Sequence, residues 1–183
     1  QNIAYGTSLP SNLFGVSSSS DGGIQTAVGK SDSVAGNTDS PVIYKSDTSG
    51  VTWIKQVFNP VEVPPTNGQF NAVAMSANGE IQTAVGNSDS DSYVNFVSTY
   101  NSSNNYWENV NFSYTAINNT NLFLSSVAMN DDGDKQILVG YKRVGLDISY
   151  SLTQYIYISD NYGNNWSQLT ISSPALTPWV IKS

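Results

Sequence analysis

The sequence predicts an all-β fold of three repeated, four-stranded units, and three observations lead to that prediction. A glycine turn followed by a strand of β-forming residues occurs three times, and a tryptophan comes after each copy at a similar distance. Short β-prone runs alternate with turn residues along the chain, and no helical apolar period is sustained. Repeats of this length are typical of proteins whose units stack on one another.

The turn glycines are 57 and 54 residues apart: Gly22, Gly79 and Gly133. The tryptophans follow these glycines after 31, 28 and 33 residues: Trp53, Trp107 and Trp166. Each of the first two tryptophans precedes the next turn glycine by 26 residues, so this part of the repeat has a constant length. The variation in repeat length therefore lies between the turn glycine and the tryptophan, and we place it between the second and third strands of a unit. The loop at that place is where we expect variable function.

Each unit is predicted to contain four strands in meander order. The predicted strands are 13–18, 24–30, 41–46 and 52–58 in unit one, 70–75, 81–86, 93–98 and 106–112 in unit two, and 123–129, 135–142, 154–159 and 165–171 in unit three. Four antiparallel strands in this order describe a β-propeller blade. A β-sandwich is the alternative fold.

The predicted division of the chain is a linker at 1–12, blades at 13–58, 70–112 and 123–171, and a linker at 172–183. Single blades cannot bury both sheet faces, so they must stack, with Val16, Val73 and Val127 in the interblade core. A complete propeller needs more than three blades. We therefore expect a partial propeller, or a ring completed by flanking sequence or by oligomerisation.

Composition argues against nucleic acid and membrane insertion. The chain has 14 acidic and 7 scattered basic residues, so no cationic stripe can neutralise phosphates. No stretch approaches the ~20 apolar residues of a membrane helix, and the first residues do not resemble a signal peptide. Abundant Ser, Thr, Asn, Gly and Tyr with few charges indicate an extracellular, cell-surface or virion-surface location.

Four Asn-x-Ser/Thr sites are candidate glycan acceptors in a eukaryotic secretory route: Asn101, Asn111, Asn118 and Asn165. The chain has no cysteine, which excludes a disulfide framework and a thiolate metal site.

Two turns between the third and fourth strands share a pattern that ends in tryptophan: Ser46, Asp47, Gly50 and Trp53, and Ser159, Asp160, Gly163 and Trp166. These turns resemble Asp boxes, or BNR repeats, of the sialidase-like β-propeller family. In that family the Asp bonds the turn backbone and the Trp packs into the blade, so the resemblance implies turn-fastening, non-catalytic roles for Asp47 and Asp160.

This sequence departs from the Asp-box pattern in its spacing. The Asp comes one place early, and Thr48 or Asn161 occupies its usual position. Asn can make the same turn bond and Thr a weaker one. Unit two keeps Trp107 and has Asn104 in place of the glycine. The combined repeat also looks like repeat proteins of large DNA viruses and microbial surfaces.

Asp boxes occur in sialidases and related glycoside hydrolases, but catalytic residues are not predicted here. Sialidases bind the substrate carboxylate with three arginines, and this chain has only Arg143. Nearly all of the acidic residues lie in turn-like contexts, and the Glu residues Glu62, Glu80 and Glu108 share no motif, so no pair of catalytic carboxylates is indicated. Histidine and cysteine are absent, which removes the commonest general base and transition-metal ligands.

Calcium is the one cofactor for which the sequence offers ligands, since Asp131, Asp132 and Asp134 surround the turn at Gly133. The match of this turn to the other glycine turns favours a plain hairpin instead. Several aromatic rings can stack on sugars or fill the space between blades: Tyr44, Tyr100, Tyr157, Tyr162 and Trp179.

The predicted function is a non-catalytic surface module for structural assembly or adhesion, with glycan or receptor binding through the variable loops. Protein neighbours or a second copy are the expected partners, because they would close the propeller. A fragment of a sialidase-like glycoside hydrolase and an inert coat or filament subunit are the alternatives.

Overall fold

The protein consists of three four-stranded antiparallel sheets, as seen in a computed structural model that describes residues 12–31, 40–58, 67–88, 95–103, 106–110, 122–146 and 149–169. Sheet A contains β1 (Asn12–Ser18), β2 (Gln25–Lys30), β3 (Pro41–Ser46) and β4 (Ile54–Lys55). Sheet B contains β5 (Gln69–Met75), β6 (Ile81–Asn87), β7 (Asn95–Asn101) and β8 (Trp107–Val110). Sheet C contains β9 (Leu122–Met129), β10 (Gln136–Leu146), β11 (Ser149–Ser159) and β12 (Ser167–Gln168).

Each sheet is a meander in which consecutive strands pair, which confirms the prediction of three four-stranded antiparallel blades. The first strands β1, β5 and β9 lie beside one another in sequence order, as the inner strands of neighbouring propeller blades do. The described blades therefore form part of a propeller. No described helix is long and apolar enough to cross a bilayer.

The outermost strands are shorter than predicted, since β4 and β12 each form only two residue pairs with their neighbours. Short edge strands expose few unpaired backbone groups. The hairpin of β10 and β11 is longer than predicted, with paired residues from Gln136 and Ser159 out to Leu146 and Ser149. The predicted linkers, apart from Asn12, lie outside the described residues.

The glycine that ends each repeated Val-Gly pair permits a close strand contact. A Cβ on Gly29 would lie 2.0 Å from the carbonyl oxygen of Asn12, and one on Gly86 would lie 2.2 Å from that of Gln69. Register shifts occur at the neighbouring positions of β1 and β5. Glycine therefore lets the first two strands of a blade approach each other beside a bulge.

The core lies between sheets rather than within one. One apolar cluster joins Val28 and Ile43 of sheet A to Phe70, Val73 and other side chains of sheet B. A second cluster joins sheets B and C, with these fully buried members: Val85, Val97, Leu122, Leu124, Leu138 and Tyr157. Stacking of blades thus provides the main hydrophobic burial.

The prediction of an interblade core at three equivalent valines is wrong for one of them. Val73 and Val127 are buried, but Val16 is 72% exposed. Val73 packs in the cluster with sheet A and Val127 in the cluster with sheet B. The equivalent face of sheet A is turned away from both other sheets, so Val16 has no described blade against it.

Candidate functional site

The glycine turns are hairpins fastened by side chains. In sheet A, Ser19 Oγ accepts a hydrogen bond from the Ile24 N–H at 2.9 Å and donates one to Asp21 Oδ1 at 2.7 Å. In sheet B, Ser76 and Asn78 make the same pair of contacts, at 3.0 Å and 2.8 Å. An Asp and an Asn are therefore interchangeable as fasteners of this turn.

The Asp21 carboxylate is exposed but well bonded. The Ser19 hydroxyl and the Gly23 N–H, which donates at 2.9 Å, hold the pKa of Asp21 below its usual value. Hydrogen bonds that favour the ionised form lower a carboxyl pKa in this way.

The third hairpin is fastened by Asn130. Asn130 Oδ1 accepts from the Lys135 N–H at 3.0 Å, and its Nδ2 donates to Asp134 Oδ1 at 2.7 Å. Within the described ranges, no three acidic side chains come together in a group that could bind a metal ion. Asp131, Asp132 and Asp134 are therefore not such a group.

A backbone contact links the hairpins from blade to blade. The Ser20 N–H donates to the Ala77 carbonyl oxygen at 2.8 Å, and the Ala77 N–H donates to that of Asp131 at 2.8 Å. Ser20, Ala77 and Asp131 occupy the same position of the repeat. The hairpins thus form a ladder in which each blade donates to the next.

An apolar contact accompanies this ladder. A Cβ added to Gly79 would lie 2.9 Å from the Ile24 side chain, and one added to Gly133 would lie 2.8 Å from Ile81. Both glycines have φ between 73° and 76°, which other residues rarely adopt. Each turn glycine is therefore required both for its conformation and for the isoleucine of the preceding blade.

A third contact is a buried side-chain hydrogen bond. Thr26 Oγ1 donates to Gln82 Oε1 at 2.6 Å, and Thr83 Oγ1 donates to Gln136 Oε1 at 2.8 Å. The glutamine Nε2 groups donate to the carbonyl oxygens of their own turn glycines, Gly79 and Gly133, at 2.9 Å and 3.0 Å. Both ends of each buried amide are therefore satisfied.

The outward face of sheet A, here called the A face, has the groups that the preceding blade contacts at the internal interfaces: a turn glycine, a glutamine and an acceptor carbonyl. It includes Leu13 and Val16, 50% and 72% exposed, together with Gly22, Gln25 and the carbonyl of Ser20. A Cβ on Gly22 would meet no atom within 4 Å, whereas Gly79 and Gly133 are covered by isoleucines.

The outward face of sheet C, here called the C face, keeps the Asp131 N–H at the ladder position but has different side chains at the other two contact positions. Its side chains at the positions of Ile81, Thr83 and Thr99 are Lys135, Ile137 and Ile158, and both isoleucines are about 40% exposed. A shallow groove of about 440 Å³ lies here, and its lining combines Ala128, Met129, Lys135, Ile137 and Ile158 with the polar residues Asn130, Gln136, Ser159, Asp160 and Ser167.

The two turns that resemble Asp boxes, here called the box turns, are stabilised by hydrogen bonds to side chains other than those of Asp47 and Asp160. Ser46 Oγ accepts from the Gly50 N–H at 2.9 Å, and Thr48 Oγ1 accepts from the Thr52 N–H at 2.9 Å. Asp47 is exposed, and its side chain takes no part in these bonds. One position further along, Thr48 has the geometry that the fastening role requires.

The second box turn has the same geometry. Ser159 Oγ accepts from the Gly163 N–H at 3.0 Å, and Asn161 Oδ1 accepts from the Asn165 N–H at 2.9 Å, while Asp160 is exposed. Tyr162 and Gly163 have φ values of 62° and 79°.

The tryptophans differ between units. Trp53 and Trp166 are half-buried, and their Nε1 groups donate to the carbonyls of Gly50 and Gly163 at 3.2 Å and 2.8 Å. Trp107 is fully buried, and its Nε1 has no hydrogen-bond partner in the described part of the chain.

The remaining predicted residues are dispersed. Asn101 and Asn165 are exposed, and the sequons at Asn111 and Asn118 lie outside the described residues, as does Trp179. Tyr44, Tyr100 and Tyr157 are buried, and burial raises the pKa of Tyr157 to about 12, with a smaller contribution from Tyr155. Among the four tyrosines, all of which the structure describes, only Tyr162 is exposed, so these four tyrosines do not form a cluster for sugar stacking.

The residues that join the blades are the ones that sequence reasoning missed. The shared Ile-Gln-Thr run was used only as a landmark of the repeat. The available signal was its replacement by Lys135, Gln136 and Ile137 in the third unit, where the outer two residues face away from the other blades.

No protein-family model and no curated protein matches the sequence. Solved structures similar to the chain include a GH74 xyloglucanase from Xanthomonas campestris, at 11% identity and a TM-score of 0.48 over 81% of this chain and 19% of that one. An α-L-arabinanase from Penicillium chrysogenum is 15% identical, with a TM-score of 0.48 over 82% of this chain and 46% of that one.

A GH32 β-fructofuranosidase from Bombyx mori is 14% identical, with a TM-score of 0.41 over 81% of this chain and 34% of that one. The chain spans less than half of the length of each of these three structures.

Proposed function

We propose that this protein is a non-catalytic β-propeller module for structural assembly, and that its two outward blade faces receive further blades. One observation carries the proposal: three interblade contacts recur in the same register at both internal interfaces, and the A face and the C face keep the backbone groups that would continue the ladder beside exposed apolar side chains. Exposed apolar side chains at these positions mark a protein interaction surface.

The proposal includes the family type and the location. The box turns support a non-enzymatic member of the Asp-box repeat type, because Ser46 and Ser159 fasten equivalent turns. The abundance of uncharged polar residues supports an extracellular, cell-surface or virion-surface location. Adhesion to a glycan or receptor would use the loops between the second and third strands, and a glycan array tests that activity.

The absence of catalysis is part of the proposal and is tested separately. A screen with chromogenic glycosides is expected to show no turnover. Turnover that a single carboxylate substitution abolishes would favour the glycoside hydrolase alternative.

Covalent fusion tests whether the outward faces receive blades. Two full chains joined by a flexible Gly/Ser linker hold the C face and an A face at an effective concentration of roughly millimolar. The chain has no cysteine, so Ile137→Cys in one copy is a unique thiol probe. We expect its maleimide labelling to slow in the fusion relative to the single chain. Equal labelling rates would refute the proposal.

A further inference from the structure

We propose that the partner of the C face is the A face of a second copy of this chain, docked head-to-tail in the register of the internal interfaces. This inference rests on the proposed assembly function and names its partner. Two copies would supply six blades, which is within the usual size of a propeller.

The backbone ladder gives the first argument. Ser20 donates to Ala77, and Ala77 donates to Asp131, so the next donor in the ladder is the Asp131 N–H. The next acceptor is the carbonyl of Ser20, which occupies the same position of the repeat in the first blade. A second copy that continues the ladder therefore pairs Asp131 of one chain with Ser20 of the other.

The second argument is the fit of Lys135 to the turn at Gly22. The residue at the position of Lys135 lies over the turn glycine of the next blade at both internal interfaces. In the docked pair, Lys135 therefore lies over Gly22, where the space for a side chain is open. The exposed carboxylate of Asp21 is adjacent to Gly22. Lys135, which stands where the other two units have isoleucine, would therefore lie beside an anion in the docked pair.

The third argument is apolar complementarity. Ile137 replaces the threonine that donates to the next glutamine, and Ile158 lies beside it in the paired strand. These side chains face away from sheet B and are about 40% exposed, and Leu13 and Val16 of the A face are exposed as well. Docking in the internal register removes both apolar patches from water, and this burial has to outweigh the cost of leaving Gln25 Oε1 without the threonine donor that the equivalent glutamines of the other two blades have. It also makes the contact heterologous, because each copy uses two different faces.

Mixing two single-face variants tests this mode of docking. Val16→Asp damages only the A face and Ile137→Asp only the C face, and both positions are exposed, so both variants are expected to fold. Each is expected to associate at least roughly tenfold more weakly than the unmodified chain, since a charge is desolvated without a partner. A mixture of the two is expected to associate more strongly than either alone, because one undamaged contact, between the C face of Val16→Asp and the A face of Ile137→Asp, can form in it without closure of the ring.

Sedimentation velocity over a concentration series measures this, with circular dichroism to confirm folding. A monomeric unmodified chain, or a mixture that associates no better than its components, would overturn head-to-tail docking. If the fused chains still protect Ile137→Cys in that event, the A face does receive the C face at a high effective concentration, so the assembly function survives while the association of separate copies is refuted.

Charge reversal tests the register. Lys135→Glu places a second anion beside Asp21 and is expected to weaken association several-fold, more so at low salt. Asp21→Asn keeps the hairpin fastener, as Asn78 shows in sheet B, and is expected to restore part of the loss when combined with Lys135→Glu. Additive effects of the two substitutions would contradict the contact between Lys135 and Asp21.

Discussion

The face of sheet B that meets sheet C and the C face occupy the same place in the repeat, yet they differ in chemistry. In sheet B, Ile81 covers the glycine of the next blade and Thr83 donates a buried hydrogen bond to Gln136. On the C face, Lys135 and Ile137 stand at these positions and are exposed. The hairpin is therefore common to the blades, while the two side chains near the start of the second strand differ between a covered and an uncovered blade face.

The largest expected effect comes from a charge at matched valines. Val127→Asp puts an unpaired carboxylate in the apolar cluster between sheets B and C and is expected to cost about 3–5 kcal/mol of unfolding free energy. Val16→Asp, at the same repeat position on the A face, is expected to change it by no more than about 0.5 kcal/mol. Urea denaturation at low protein concentration measures both, and equal losses would show that the two valines have equivalent environments.

A smaller effect is expected from the interblade hydrogen bond. Thr83→Val leaves Gln136 Oε1 buried without its donor, which costs about 1–3 kcal/mol. Ile137→Val, on the equivalent C-face position, is the control and is expected to be nearly neutral at low protein concentration. A stable Thr83→Val variant would mean that the threonine contributes packing rather than a hydrogen bond.

The box turns allow the same kind of comparison between adjacent residues. Ser159→Ala removes the acceptor of the buried Gly163 N–H and is expected to cost about 1–2 kcal/mol. Asp160→Ala removes an exposed carboxylate and is expected to cost less than about 0.5 kcal/mol. Thermal unfolding compares the stabilities of the two variants. A larger loss of stability for Asp160→Ala would mean that Asp160, rather than Ser159, stabilises the turn.

The smallest effect concerns pH. The folded pKa of Asp21 is lowered, so its stabilising contribution is present above the unfolded pKa and is lost as pH falls through the folded pKa. Asp21→Asn converts the first hairpin to the type with Asn78 and is expected to flatten the pH dependence of stability in the acidic range. Urea midpoints from neutral to acidic pH check this, and unchanged pH dependence would contradict it.

The sequence predicted the three meander blades because the glycine turns and tryptophans recur at regular distances, and these features are local. It also predicted that Thr48 and Asn161 could replace the Asp of the box pattern, since their side chains have the required donors and acceptors. The exposure of Val16 could not be predicted from its equivalence to Val73 and Val127, because burial depends on which blade lies opposite. The threonine-to-glutamine bonds were missed for the same reason, since their partners lie 56 and 53 residues apart.

Thiol labelling of Thr83→Cys and Ile137→Cys tests the difference between the internal and outward faces most directly. The two residues occupy one repeat position, and the chain has no other cysteine. At low protein concentration, Thr83→Cys is expected to react on the order of 100-fold or more slowly, since reaction requires an interblade interface to open. Similar rates for both thiols would contradict the account, because they would mean that sheet C does not cover sheet B.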